Sequence, residues 1–282
     1  MKINAKTKII CLIGNPIEHS LSPNIQNYLL NQYDINANYV CFRVEKENLK
    51  EAINGVKNLG IQGCNITIPH KVKVMKYLDE VDKNAKLIGA VNTVKNEDGK
   101  LIGYNTDGIG FVKSITDKGY ELKNKKVLII GAGGACRSIA VELASNGVKT
   151  IDIRNRSLEN AEIIAGIVCD NFNTKVKYSS DSVTKNDLEK IDIIINTTPI
   201  GMDKDKESCP IDNTINVEKH IIVCDIVYNP HETEFIKWGK KNNLEIVYGR
   251  DMLINQAVHS FFIWTDINVG SNINFKNILK GR

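Results

Sequence analysis

The feature that most constrains this chain is Lys126-Val127-Leu128-Ile129-Ile130, an apolar strand that runs directly into Gly131-Ala132-Gly133-Gly134-Ala135 and then into a helical pattern through about Ser145. A strand without polar alternation is covered on both faces, as in a parallel sheet wound with helices. Further strands are expected at 150–153, 175–178, 191–195, 221–225 and 245–247, with helical patterns between most of them. Glycines at such a turn let backbone N–H groups at a helix N-terminus approach a pyrophosphate with no Cβ in the way. The match to G-x-G-x-x-G is imperfect, because the third position is Cys136, still small enough for close packing of helix on strand.

The end of the next strand discriminates between NAD and NADP, since an acid there grips a ribose 2′-hydroxyl and an arginine accepts a 2′-phosphate. Here the strand ends Arg154-Asn155-Arg156-Ser157, so NADP is the expected cofactor, with Arg156 and also Arg154 as basic partners. Asp152 lies where a ribose acid is expected, but the residues that follow it before the helix place it inside the strand.

Upstream, a strand at 7–13 is followed by Ser22-Pro23, read as an N-cap before a proline at the first helical position. A strand at 39–44, a helical pattern at 49–59 and a short strand at 63–67 complete β-α-β-α-β. Residues 90–95 and 100–104, joined by Asp98-Gly99, read as a hairpin, so this first sheet is expected to be mixed. A helix from about Thr106 to Lys118 leads toward the glycine turn, and a long helical pattern from Asp251 to Thr265 is expected to return to the first domain. The reading is α/β throughout: a first domain over 1–105, completed by 251–282, and a dinucleotide-binding domain over 106–250.

Of the 282 residues, 42% are hydrophobic and 25% charged, which excludes disordered, collagen-like and coiled-coil classes. The 37 basic and 33 acidic side chains give a net charge of +4 with no basic block, so no nucleic-acid groove is expected. Seven cysteines without a CxxC pair fit a reducing cytoplasm, and the histidines have no metal-ligand spacing, so neither a disulfide framework nor a metal is expected. The apolar run before Gly14-Asn15-Pro16 is far short of a secretory or membrane-spanning segment.

Six segments, Gly14 to Pro23, Asn65 to Lys71, Gly89 to Thr93, Asn105 to Gly108, Asn196 to Met202 and Gly249 to Gln256, together resemble the shikimate dehydrogenases, in the family's order along nearly the whole chain. The resemblance implies that the first domain is an α/β substrate-binding domain and the second a Rossmann-type domain, and that the activity is reversible NADP-linked reduction of 3-dehydroshikimate to shikimate, on the route to chorismate and the aromatic amino acids. It implies Lys71 as proton donor and Asp107 as its partner carboxylate. Ser20 and Ser22, before a helix N-terminus, are the candidates for the substrate carboxylate. Asn65, Thr67, Asn92 and Gln256 are implied for the ring hydroxyls, with Tyr228 as a further contact. Around the cofactor, Gly131 to Ala135, Asn155, Arg156, Ser157, Thr197, Gly249 and Met252 are the candidates. Two positions depart from the family: Gln26 stands near a common histidine, and Asn160 stands where many NADP-linked members have a second arginine. The rival readings are an NAD-dependent quinate/shikimate dehydrogenase, a non-catalytic metabolite-sensing relative and a different Rossmann dehydrogenase. The expected partner is a small-molecule substrate, with a homodimer left open.

Overall fold

The computed structural model describes residues 3–270. The chain divides into two compact units, one formed by the residues up to Thr106 together with those from Gln256 onward, the other by Asp107–Asn255.

The first unit runs β1 (Lys8–Gly14), α1 (Ser22–Gln32), β2 (Ala37–Arg43), α2 (Leu49–Asn58), β3 (Gly63–Ile66), β4 (Glu80–Val81), α3 (Lys83–Ile88), β5 (Thr93–Glu97) and β6 (Lys100–Tyr104). Its sheet has the order β2-β1-β3-β5-β6-β4. β1 lies parallel to β2 and β3, whereas β5 is antiparallel to β3 and β6. The hairpin that makes this sheet mixed turns on Asp98 and Gly99, both at positive φ (51° and 91°), as a tight two-residue turn requires. Its first strand begins at Thr93 rather than at Ala90, and just before it the Val91 amide donates to the Lys71 carbonyl, outside the hairpin. The Ser22 cap reading needs correction: Leu21 is the N-cap, Ser22 is the first helical residue, and no side chain caps this helix. The Ser22 amide instead donates to Ser20 Oγ at 3.2 Å.

The second unit contains α4 (Asp107–Thr116), β7 (Lys126–Ile130), α5 (Gly134–Ser145), β8 (Thr150–Arg154), α6 (Leu158–Asn171), β9 (Lys175–Ser179), α7 (Lys185–Leu188), β10 (Ile193–Asn196), β11 (Ile222–Asp225), α8 (Glu234–Lys241) and β12 (Glu245–Val247). All its strand pairs are parallel, in the order β12-β11-β10-β7-β8-β9. Alternate residues of β7 feed opposite faces: Val127 and Ile129 join one apolar cluster, Leu128 and Ile130 the other. This explains the unbroken hydrophobic run, since neither face meets water. The direction of winding reverses between β7 and β10, and ligands of such sheets bind outside the carboxyl ends of the strands at that reversal.

The last described helix, α9 (Gly249–Thr265), opens in the second unit and from Gln256 belongs to the first. Within the first unit Trp264 fits against Gly63, where any Cβ would lie 2.4 Å from its indole nitrogen, and that nitrogen donates to the Val94 carbonyl at 2.9 Å. Among the described residues no helix is long and apolar enough to cross a membrane, and no group of side chains could hold a metal ion.

Candidate active site

The glycine turn falls at the winding reversal of the second unit. Gly131 has φ +102°, and a Cβ there would lie 2.7 Å from Thr197 Oγ1, so both backbone conformation and space demand glycine. Thr197 is itself fixed, because its amide and its hydroxyl both donate to the Ile130 carbonyl at 2.8 Å. Gly133 and Gly134 are exposed, and a Cβ on either would meet open space, while Ala132 and Cys136 are buried and Ala135 is half-buried. No side chain caps the N-terminus of α5, whose N-cap is Gly133. An uncapped helix start behind an open glycine turn suits a pyrophosphate, so the residues present fit a dinucleotide.

Beside this turn, the Gly131 amide donates to the Arg154 carbonyl at 2.8 Å, which ties the glycine turn to the end of β8. The two arginines there differ. Arg154 is half-buried against Asp152 at 2.9 Å and Asp187 at 3.1 Å, and Asp152 also pairs with Lys177 at 2.8 Å. These carboxylates hold the Arg154 guanidinium above its ordinary pKa, and they leave it no charge to offer a ligand. Asp152 is buried within the strand, as its spacing implied. Arg156 is exposed and makes no ion pair among the described residues. Asn155 is anchored by its amide to Ser179 and by its side chain to the Ser157 carbonyl, and Ser157 caps α6 without a side-chain bond. Elsewhere in this unit, a Cβ on Gly249 would lie 2.5 Å from the Val227 carbonyl oxygen, so the chain passes there only as glycine. Tyr228 is half-buried, and its carbonyl accepts from Arg250. Met252 is half-buried against the apolar core of the unit. Asp107 opens α4.

In the first unit, several predicted residues converge on one buried polar network. Tyr39 donates to Asn65 Oδ1 at 2.8 Å, and Asn65 Nδ2 donates to the Asn92 carbonyl, to Thr93 Oγ1 and to Ser260 Oγ. Asn92 Oδ1 accepts from the Thr106 amide at 2.9 Å, and its Nδ2 donates to Thr106 Oγ1 at 3.0 Å. Ser260 in turn donates to the carbonyl of Gln256, one turn earlier in α9. Asn65 thus spends both ends of its amide inside the protein. Tyr39 and Ser260 read from the sequence as ordinary strand and helix residues, and Thr93 and Thr106 lie within two of the family-like segments without a role assigned to them there.

Lys71 is half-buried on a loop held from both sides. The buried His70 directs Nε2 to the Val44 carbonyl at 2.8 Å, and since a carbonyl only accepts, that nitrogen carries the proton. The Lys71 carbonyl accepts from Val91. Thr67 is half-buried against Gly14, where a Cβ would meet its methyl at 2.2 Å. Ser20 Oγ accepts from the Ser22 amide at 3.2 Å. Gln26 is buried in α1, with Nε2 donating to the Ala257 carbonyl.

A wholly parallel sheet in this order, with a glycine turn at its reversal and an unpaired arginine past the end of the neighbouring strand, defines a dinucleotide-binding α/β protein. Two family models match the chain: the shikimate dehydrogenase substrate binding domain over residues 12–94 and shikimate / quinate 5-dehydrogenase over residues 112–226. The chain is 47% identical to the shikimate dehydrogenase (NADP(+)) of Methanococcus aeolicus, over 96% of both chains. Among solved structures, a shikimate dehydrogenase in complex with NADP+ is 46% identical, covers 95% of this chain and 93% of its own, and superposes with a TM-score of 0.87. The Listeria monocytogenes shikimate 5-dehydrogenase, in complex with shikimate and NAD, is 31% identical over 95% of both chains with a TM-score of 0.90. The chain belongs to the shikimate dehydrogenase family.

Proposed function

We propose that this protein is an NADP-dependent shikimate dehydrogenase, reducing 3-dehydroshikimate reversibly to shikimate in chorismate and aromatic amino acid biosynthesis. The observation that carries the cofactor assignment is the exposed, unpaired Arg156 beside the open Gly131–Ala135 turn. A 2′-phosphate of nearly two negative charges is the ligand group that such an arginine serves. NADP supplies hydride chemistry when bound, and the chain must supply the remainder. Gly131, Ala132, Gly133, Gly134 and Ala135 would hold the pyrophosphate, Asn155, Arg156 and Ser157 the ribose phosphate, and Thr197, Gly249 and Met252 the nicotinamide end.

On the substrate, Ser20 and Ser22 receive the carboxylate, while Thr67, Asn92, Tyr228 and Gln256 meet the ring hydroxyls. For Asn65 we propose an indirect part, through its bonds to Asn92 and Thr93. Lys71 supplies the proton to the oxygen that becomes the hydroxyl, and Asp107 is the acid that works with it. Neutral amides and hydroxyls around a polyol discriminate strongly, because a wrong substrate leaves buried groups unpaired. We place the protein in the cytoplasm, consistent with seven free cysteines. A homodimer is compatible with this reading and is read directly by light scattering.

One observation favours a second reading, NAD-dependent oxidation of quinate or shikimate. Arg154 is committed to Asp152 and Asp187, and Asn160 is uncharged, so Arg156 faces a 2′-phosphate without the help of either. An absorbance assay at the reduced-nicotinamide band, crossing shikimate and quinate with NADP and NAD, separates the two. The first reading expects the highest kcat/KM with shikimate and NADP; a preference for NAD or quinate overturns it.

A further inference from the structure

Asp225, the last residue of β11, is buried one strand beyond the winding reversal, yet no cation pairs with it among the described residues. Its carboxylate gathers donors from separate segments. Oδ1 accepts from Asn196 Nδ2 and from the Val227 amide, both at 3.0 Å, and Oδ2 accepts from Thr233 Oγ1 at 2.6 Å. Asn196 ends β10, Val227 precedes Tyr228, and Thr233 is the N-cap of α8, where its oxygen also accepts from the Ile236 amide.

The Asn196 contact reaches furthest. With Nδ2 turned to Asp225, Asn196 directs Oδ1 to the amide and hydroxyl of Thr198, at 3.1 and 2.6 Å, and Nδ2 also donates to the Ile200 carbonyl. This folds the segment after β10 back on itself. Thr197 lies inside that segment, bonded twice to Ile130 and pressed beneath Gly131. One carboxylate therefore fixes the rotamer of Asn196, the path of residues 196–200, and through Thr197 the floor under the glycine turn. A carboxylate suits this post because it offers only acceptors, and each group aimed at it is a donor.

We propose that Asp225 is the positioning residue of the dinucleotide site, holding the segment after β10 beneath the glycine turn without touching the cofactor. The inference rests on the reading that this turn binds NADP. An apolar residue in its place leaves the Asn196 amide, the Val227 amide and the Thr233 hydroxyl without their acceptor. Asparagine keeps an acceptor for the first two and disturbs only the third.

Isothermal titration of the full chain with NADP provides the test, since it reads affinity and binding capacity separately. Asp225→Ala is expected to weaken Kd by about tenfold or more at unchanged stoichiometry, and Asp225→Asn to restore it to within about threefold of the parent. A purely structural role would lower the stoichiometry and leave Kd alone, and that result overturns the proposal. If Asp225→Ala does not fold, Thr233→Gly removes the donor to Oδ2 at a cap position where glycine costs little; a Kd equal to the parent's overturns the proposal, and a severalfold loss supports it. Absence of NADP binding by the parent would instead reject the cofactor reading itself.

Discussion

Arg154 and Arg156 stand two positions apart in sequence and in opposite electrostatic settings. The first is neutralised by Asp152 and Asp187, and the second is exposed and unpaired. Arg156→Ala should raise the KM for NADP by about tenfold or more while changing that for NAD by less than about twofold, because a charged hydrogen bond is worth about 1.5–3 kcal/mol. Steady-state kinetics with both cofactors checks this. For the proton-handling residues, single-turnover hydride transfer in Lys71→Ala and Asp107→Ala should slow by about 10²–10⁴-fold, the range of general acid–base catalysis. Rates within a few-fold of the parent in both would remove them from the chemistry.

At the scale of elements, the loop joining β7 to α5 depends on a backbone shape that only glycine adopts cheaply. Gly131→Ala would combine φ +102° with a Cβ 2.7 Å from Thr197 Oγ1. The expected result is a loss of about 1–3 kcal/mol in denaturant stability, with weakened NADP binding in titration, whereas Gly133→Ala, which meets open space, should leave stability within about 1 kcal/mol. Most of this architecture is legible in the sequence, because doubly covered strands read as unbroken apolar runs and the hairpin announces itself at Asp98-Gly99. The pieces that are not legible are short or tertiary. β4 has two residues and α3 six, too few for a period, although Asp82 before α3 and Gly89 after it are a cap and a stop in hindsight. The Ser22 cap fails because the helix starts one residue earlier than the Ser-Pro pair suggests, with Leu21 at the cap and Ser22 already inside the first turn. The hydroxyls of Thr93, Thr106 and Ser260 converge only once β5, the segment after β6 and α9 are assembled, so no local pattern shows that they meet.

For the molecule as a whole, the ledger of charge contains one notable debit at Asp225. Burial raises its carboxyl from the ordinary 3.8 to about 6, despite bonds from Thr233, Val227 and Asn196 that act in the opposite direction. The folded state therefore binds this proton more tightly than the unfolded chain does. The resulting stabilisation is complete below about pH 4 and is lost as pH rises through about 6, amounting to about 3 kcal/mol. Asp187, Asp192 and Asp79 are held below their usual range and act with the opposite sign at lower pH. Urea unfolding of the parent and of Asp225→Asn between about pH 4 and pH 7 should isolate the Asp225 contribution, with the parent losing about 2 kcal/mol relative to the variant. Parallel pH profiles would contradict it.

The first unit is assembled from two stretches of chain with the whole of the second inserted between them. Its closing bonds, from Gln26 to Ala257, from Asn65 to Ser260 and from Trp264 to Val94, all await the far stretch. On the ribosome the order of emergence thus inverts the order of completion. The inserted unit, contiguous in sequence, has all its strands available first, while the half that leaves the tunnel earliest stays unsealed until nearly the last helix arrives.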